Sequence, residues 1–135
     1  MATEGSQPFK ITGLACGAAS LATKQYYFVK MSGASTVTVC SGATDVPIGV
    51  LQNAPASGAA ANVCSIGVTK ISSDAAVTYG NHVGTSADGQ ADPKVWGTDT
   101  TEYIVGQAIS TSGAAGGLVT CMINCATPVM AQTSA

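Results

Sequence analysis

Residues 48–71 read IGVLQNAPASGAAANVCSIGVTKI, and their pattern decides the fold. A short apolar run (48–51) leads into a cluster of Pro, Ser, Gly and Ala. A longer run (62–71) rich in β-branched residues follows. Pro and Gly at this density break a helix and set turns. In the second run Cys64, Ile66 and Val68 share one parity and Ser65, Gly67 and Thr69 the other, which is the period of a strand with two faces. Gly67 is placed to make a bulge or bend that re-aims the second half. A shorter echo returns at residues 105–123, VGQAISTSGAAGGLVTCMI, as a short strand, a small-residue turn and an alternating strand. The pair reads as one β-hairpin module used twice.

Outward from this stretch the same grammar continues. Residues 25–31 (QYYFVKM) form an aromatic-rich strand. Residues 36–40 (TVTVC) alternate, with Val37 and Val39 on one face. Short strands are expected at 75–79 and 82–85, around the turn Gly80-Asn81. Asp88-Gly89 is a hairpin signal. Residues 94–101 make a polar loop around Trp96, and 102–110 make another strand. Residues 113–117 (GAAGG) turn the chain into 118–125, where Val119, Cys121, Ile123 and Cys125 share a face. Residues 13–21 are either a short helical turn or irregular. This gives roughly eight or nine strands of about 4–8 residues with regular turn signals, the pattern of a β-sandwich or barrel. No long segment keeps the helical period. The expected organisation is an N-terminal arm at 1–12, a β domain at 13–126 and a flexible C-terminal tail at 127–135.

The 135 residues suit one domain. Only 9% are charged, against about 25% in an average soluble protein. There is no Arg, the five Lys are scattered, and the net charge is −2. A basic nucleic-acid-binding patch is therefore not expected. The apolar runs are broken within a few residues, well short of the ~20 needed for a spanning helix, so no membrane partner is expected. Residues 1–10 (MATEGSQPFK) carry an acid and no apolar core of the signal-peptide kind, which points to synthesis in the cytoplasm. A neutral surface rich in Ser, Thr and Ala suits packing against other proteins, since charge is depleted at interface cores.

The ordered series of motifs carries a resemblance. Ile48-Gly49-Val50-Leu51, Gly67-Val68-Thr69, Gly80-Asn81-His82-Val83, Ala87-Asp88-Gly89, Ile104-Val105-Gly106-Gln107-Ala108 and Ala114-Ala115-Gly116-Gly117-Leu118-Val119-Thr120 together look like the capsid decoration, or cement, proteins of tailed bacteriophages. The similarity covers about residues 25–125. It implies an all-β protein, often a homotrimer, that sits on the outside of the head. There it would bind the major capsid protein and clamp the expanded shell. It also implies a terminal arm that reaches neighbouring subunits, and residues 1–10 are placed to be that arm. Phe9 and Ile11 are its only large apolar anchors, and with Trp96 they are the expected capsid-docking residues. Other β-rich assembly proteins, such as a head fibre or a tail component, share this physics. A carbohydrate-binding module would want exposed aromatics and a signal peptide.

Catalytic chemistry finds little support. His82 is the sole His and follows a turn, without a nucleophile motif beside it. Cys16, Cys40, Cys64, Cys121 and Cys125 are odd in number and lack C-x-x-C spacing, so they read as reduced core residues and not as a metal set. Cys121 and Cys125 on one strand lie about 13 Å apart, too far to bridge. Asp88 to Asp92 shares part of a calcium-loop pattern but lacks its later Glu, and turn-forming Asp is the simpler reading. Trp96 is either a buried plug or an interface anchor. The chain is expected to be non-enzymatic and to need no cofactor or metal.

Overall fold

The computed structural model describes residues 9–132. Its strands are β1 (Phe9–Ile11), β2 (Ala15–Cys16), β3 (Phe28–Gly33), β4 (Thr36–Val39), β5 (Gly49–Leu51), β6 (Val63–Ser72), β7 (His82–Thr85), β8 (Ala91–Pro93), β9 (Tyr103–Ile104), β10 (Gly106–Ala108), β11 (Leu118–Asn124) and β12 (Val129–Met130). No helix occurs among the described residues, and the fold is all-β. One sheet runs in the order β2-β4-β3-β5-β6-β11-β10-β7-β8, with β1 also paired to β6. A separate ribbon joins β12 to β9. The two expected hairpin modules are real: β5 pairs with β6 and β10 with β11. They meet through the β6–β11 ladder, which runs from Ser72 opposite Leu118 to Ile66 opposite Asn124.

β6 shapes the whole molecule. Its first residues, Val63 and Cys64, are buried on opposite faces, whereas its second half has one wet face. Phe28, Val50 and Cys64 lie in register across β3, β5 and β6 and enter the main core. Their neighbours Val29, Leu51 and Val63 point the other way, into a second cluster with Leu14, Cys16 and Leu21. The segment before β3, including short β2, covers that cluster. The Leu21 amide donates to the Pro55 carbonyl at 3.0 Å and the Cys16 amide to the Ala59 carbonyl at 2.8 Å. Each wholly buried large side chain, such as Phe28, contributes roughly 1.5–3 kcal/mol.

The sheet curls on itself without closing into a barrel, since β2 and β8 remain its two ends. Asp88-Gly89 does make the β7–β8 hairpin turn, and its tip lands on β3, where the Phe28 amide donates to the Gly89 carbonyl at 2.7 Å. The main core fills the space between the two halves.

Several expectations need correction. Ile66 and Val68 were expected on the face of Cys64, but Ile66 is exposed while Cys64 and Ile71, of opposite parity, share the core. One feature resets the alternation. Ser65 is passed over in the register with β1, so that Phe9 faces Ile66 and Lys10 faces Cys64. Gly67 adopts φ +134°, a conformation that side chains beyond glycine rarely take, but Ile66 and Val68 on either side of it keep one face. Residues 75–79 form no strand. A two-way backbone bridge between Val77 and Ser112 holds them, with the Val77 side chain in the core. The single strand expected at 102–110 divides at Val105, where the chain changes neighbours: β9 joins β12, while β10 joins β11 and β7. The expected tail is structured at its start, because Val129–Met130 is β12 and Ala131 is wholly buried. Residues 1–8 of the expected arm lie outside the described residues. Phe9–Ile11 is already a strand on β6, and Ile11 packs on the second core cluster.

Candidate functional site

β11, LVTCMIN, alternates cleanly. Val119, Cys121 and Ile123 are buried, and Leu118, Thr120, Met122 and Asn124 face outward. The outward row continues across the sheet in register: Val68 on β6, Met122 on β11, Gln107 on β10 and His82 on β7 stand opposite one another in turn. The next row has Phe9, Ile66 and Asn124. Ile109, whose amide donates to the Thr120 carbonyl at 2.9 Å, extends the face at the other end. A half-solvated sheet normally alternates apolar-in with polar-out. Here the outward positions carry Ile66, Val68, Met122, Leu118 and Ile109.

The β9–β12 ribbon rises beside this face and turns part of it into a groove of about 510 Å3. Ile66, Val68 and Met122 form the floor, Ile104 and Val129 the wall, and Gln107 and Asn124 the polar accents. None of the lining residues is Asp, Glu or Lys. Lys70, opposite Thr120, is the charge on the adjoining outer face.

The wall is pinned by a buried cation. The Lys94 side chain is wholly inaccessible, and its ammonium donates to Asp92 Oδ2 at 3.1 Å and to Glu102 Oε1. The Lys94 amide donates to the His82 carbonyl at 2.8 Å. The Ala131 amide donates to the Glu102 carbonyl at 2.9 Å. One lysine thus ties the carboxylate on β8 to the start of β9 and so to β12. Removing it leaves two carboxylates facing each other without a counter-charge. Because both carboxylates keep some contact with water, the full cost of a broken buried pair must be discounted. We expect Lys94→Ala to lose about 2 kcal/mol by urea denaturation. A loss too small to measure would mean that the pair does not hold the ribbon.

The expected docking residues separate. Phe9 is 62% exposed and stands at one end of the apolar face, opposite Ile66. Trp96 is 42% exposed and lies at the other end, edge-on to His82 with ring centroids 5.8 Å apart. Ile11 stands opposite Val63 and packs inward, away from this face. Sequence reasoning missed Ile66, Val68, Met122, Ile109, Leu118 and Val129. A signal was present in β11, where Leu118 and Met122 occupy the parity of Thr120 and Asn124.

The remaining reactive side chains are placed as structure. All five Cys are buried, and burial pushes the thiols of Cys40, Cys121 and Cys125 up to about 12. Asp45 accepts from Lys30 at 2.8 Å and from the Ser41 and Gly42 amides, and these partners, Lys30 foremost, hold its carboxyl below the usual range. No group of three or more His, Cys, Asp or Glu that could hold a metal occurs among the described residues. No helix among the described residues is long and apolar enough to cross a membrane.

No protein-family model matches the sequence, and no curated protein matches it. Among solved structures, the chain is similar to the N base of the head fiber gp8.5 of bacteriophage phi29. The TM-score is 0.66 at 16% identity, over 87% of this chain and 96% of that one. At this identity the likeness is one of fold, and it spans nearly the whole of both chains.

Proposed function

We propose that this chain is a non-enzymatic structural protein of a bacteriophage head. It binds the outside of the assembled capsid, through the major capsid protein, as a homo-oligomer of the trimeric kind, and it stabilises the shell. The observation that carries the reading is the fold likeness to a phage head fiber base. It agrees with the decoration-protein motif order in the sequence. The apolar face supports a binding role, because exposed apolar patches rimmed by polar residues mark interaction sites. The placement of His82 against Trp96, and of the thiols in the core, supports a non-catalytic role.

Purified chain should co-sediment with expanded capsids and not with precursor shells. Equal binding to both, or to neither, would remove the cement reading. The fold likeness favours a second reading, the base module of a head fibre. Electron cryomicroscopy of particles carrying the native protein separates the two: a cement protein appears as compact knobs, a fibre base as the root of a projecting rod.

A further inference from the structure

We propose that the apolar groove and the sheet face around it form the seam between copies of this chain, leaving capsid contact to another surface. The proposal rests on the head-protein reading for one step only, namely that the chain exists free before it meets an assembled lattice.

The first argument is area. Phe9, Ile66, Ile109, Leu118, Met122 and Val129 are each exposed by between 38% and 62%. Together they present on the order of 600 Å2 of apolar surface, the top of the range for a typical monomer and near the ~800 Å2 per partner of a standard interface. The second is charge. The groove lining carries no Asp, Glu or Lys, so it offers no carboxylate or ammonium for an ion pair with a charged partner, while a chain of net charge −2 repels its own copies only weakly. Permanent interfaces between identical chains are the most apolar class, whereas partners that meet late use surfaces of average polarity. The third is timing. A protein that waits in solution for an assembled lattice cannot leave such a face wet without non-specific association. A second copy is the occupant that satisfies all three conditions.

The test is sedimentation velocity over a concentration series, on the full chain and two variants. Met122→Glu puts a charge in the groove floor, at a half-exposed position where the fold tolerates it. Met31→Glu makes the same change on β3, at another exposed Met outside the groove. The wild type and Met31→Glu should be oligomeric at micromolar concentration. Met122→Glu should dissociate to monomer, its association weakened on the order of 30-fold or more. Far-UV circular dichroism should stay unchanged, and the emission of the sole Trp, at the groove rim beside His82, should shift to the red. A monomeric wild type, or a Met122→Glu variant of unchanged mass, overturns the proposal. Capsid co-sedimentation keeps it distinct from the functional reading. If the wild type oligomerises through Met122 yet never binds capsids, the head-protein reading fails and the seam stands. If Met122→Glu abolishes capsid binding without changing a monomeric mass, the groove is the capsid contact and the seam falls.

Discussion

Raising the pH above 9 is expected to unfold this domain steeply, and the cause is three core thiols. Cys40, Cys121 and Cys125 are each raised from an ordinary value of 9.0 to about 12. Burial is the largest cause in every case. At Cys125 the nearby thiols of Cys64 and Cys40 add to it, and at Cys40 a hydrogen bond with Thr85 partly offsets it. Between these two values the unfolded chain gives up three protons that the native state retains. The unfolded state then binds fewer protons, so stability falls as pH rises. The stabilisation is complete below pH 9 and is lost on the way to pH 12. Each thiol contributes about 1.4 kcal/mol per pH unit, or about 4 kcal/mol per unit for the three. Over the three units the loss reaches about 12 kcal/mol, against a total stability of about 5–15 kcal/mol. Urea melts at successive pH values should show this slope, and Cys121→Ala should lower it by about a third. A stability that stays flat from pH 8 to about pH 10.5 would show that the thiols are not buried as described. Below pH 9 the same burial should make all five thiols slow toward disulfide reagents in the native state and fully titratable after unfolding.

The parts of this fold that were legible in the sequence are those governed by local chemistry. β5 and β6, the Asp88-Gly89 turn and β11 follow from turn residues and from a period of two, which a strand imposes wherever it lies. The parts that were not legible depend on distant partners. β9 and β12 have two residues each, too few to show a period. They persist because Lys94 joins Asp92 to Glu102 across ten residues of chain, a pairing that no local pattern announces. Residues 75–79 look like a strand because Val77 is buried, but a single bridge to Ser112 does that work. The candidate site was hidden by one parity. With Cys64, Ile66 and Val68 assigned to a common inner face, the outer face of β6 seemed to be Ser65, Gly67 and Thr69, which is polar and unremarkable in composition. The reset at Ser65 turns Ile66 out and Thr69 in. Opposite Met122 and Asn124, that change converts an ordinary sheet surface into an apolar groove. Phe9 and Trp96 could be selected as exposed aromatics without it, but the floor between them could not.

The second large effect is expected at Gly89, where the curl of the sheet is locked. The turn is a three-residue hairpin loop. The Gly89 amide donates to the Ser86 carbonyl at 3.2 Å, and the Ser86 hydroxyl accepts from the Asp88 and Gln90 amides at 3.1 and 3.2 Å. Such loops end on a residue in the left-handed region, and Gly89 has φ +82°. A side chain there costs about 1–2 kcal/mol on backbone grounds alone. The tip also presses on the opposite half of the molecule. A Cβ on Gly89 would lie 2.5 Å from Val39 Cγ2, 3.1 Å from the Cys40 carbonyl oxygen and 3.2 Å from that of Phe28. Val39 could move, but the Phe28 carbonyl belongs to the strand that the tip docks on, and the Gly89 carbonyl itself accepts from the Phe28 amide. Relieving the contact therefore means pulling the β7–β8 hairpin off β3 and opening the main core. Overpacking of this kind costs about 1–3 kcal/mol, so Gly89→Ala should lose roughly 2–5 kcal/mol in total. Two controls divide the sum. Gly58, at φ +80° with nothing near its missing Cβ, should show the backbone part only when changed to Ala. Gly113, with no positive φ and open space around it, should be neutral or slightly stabilised. If Gly89→Ala costs no more than Gly58→Ala in urea melts, the hairpin tip does not press on β3 and β4, and the curled sheet is held by its ladders and core alone.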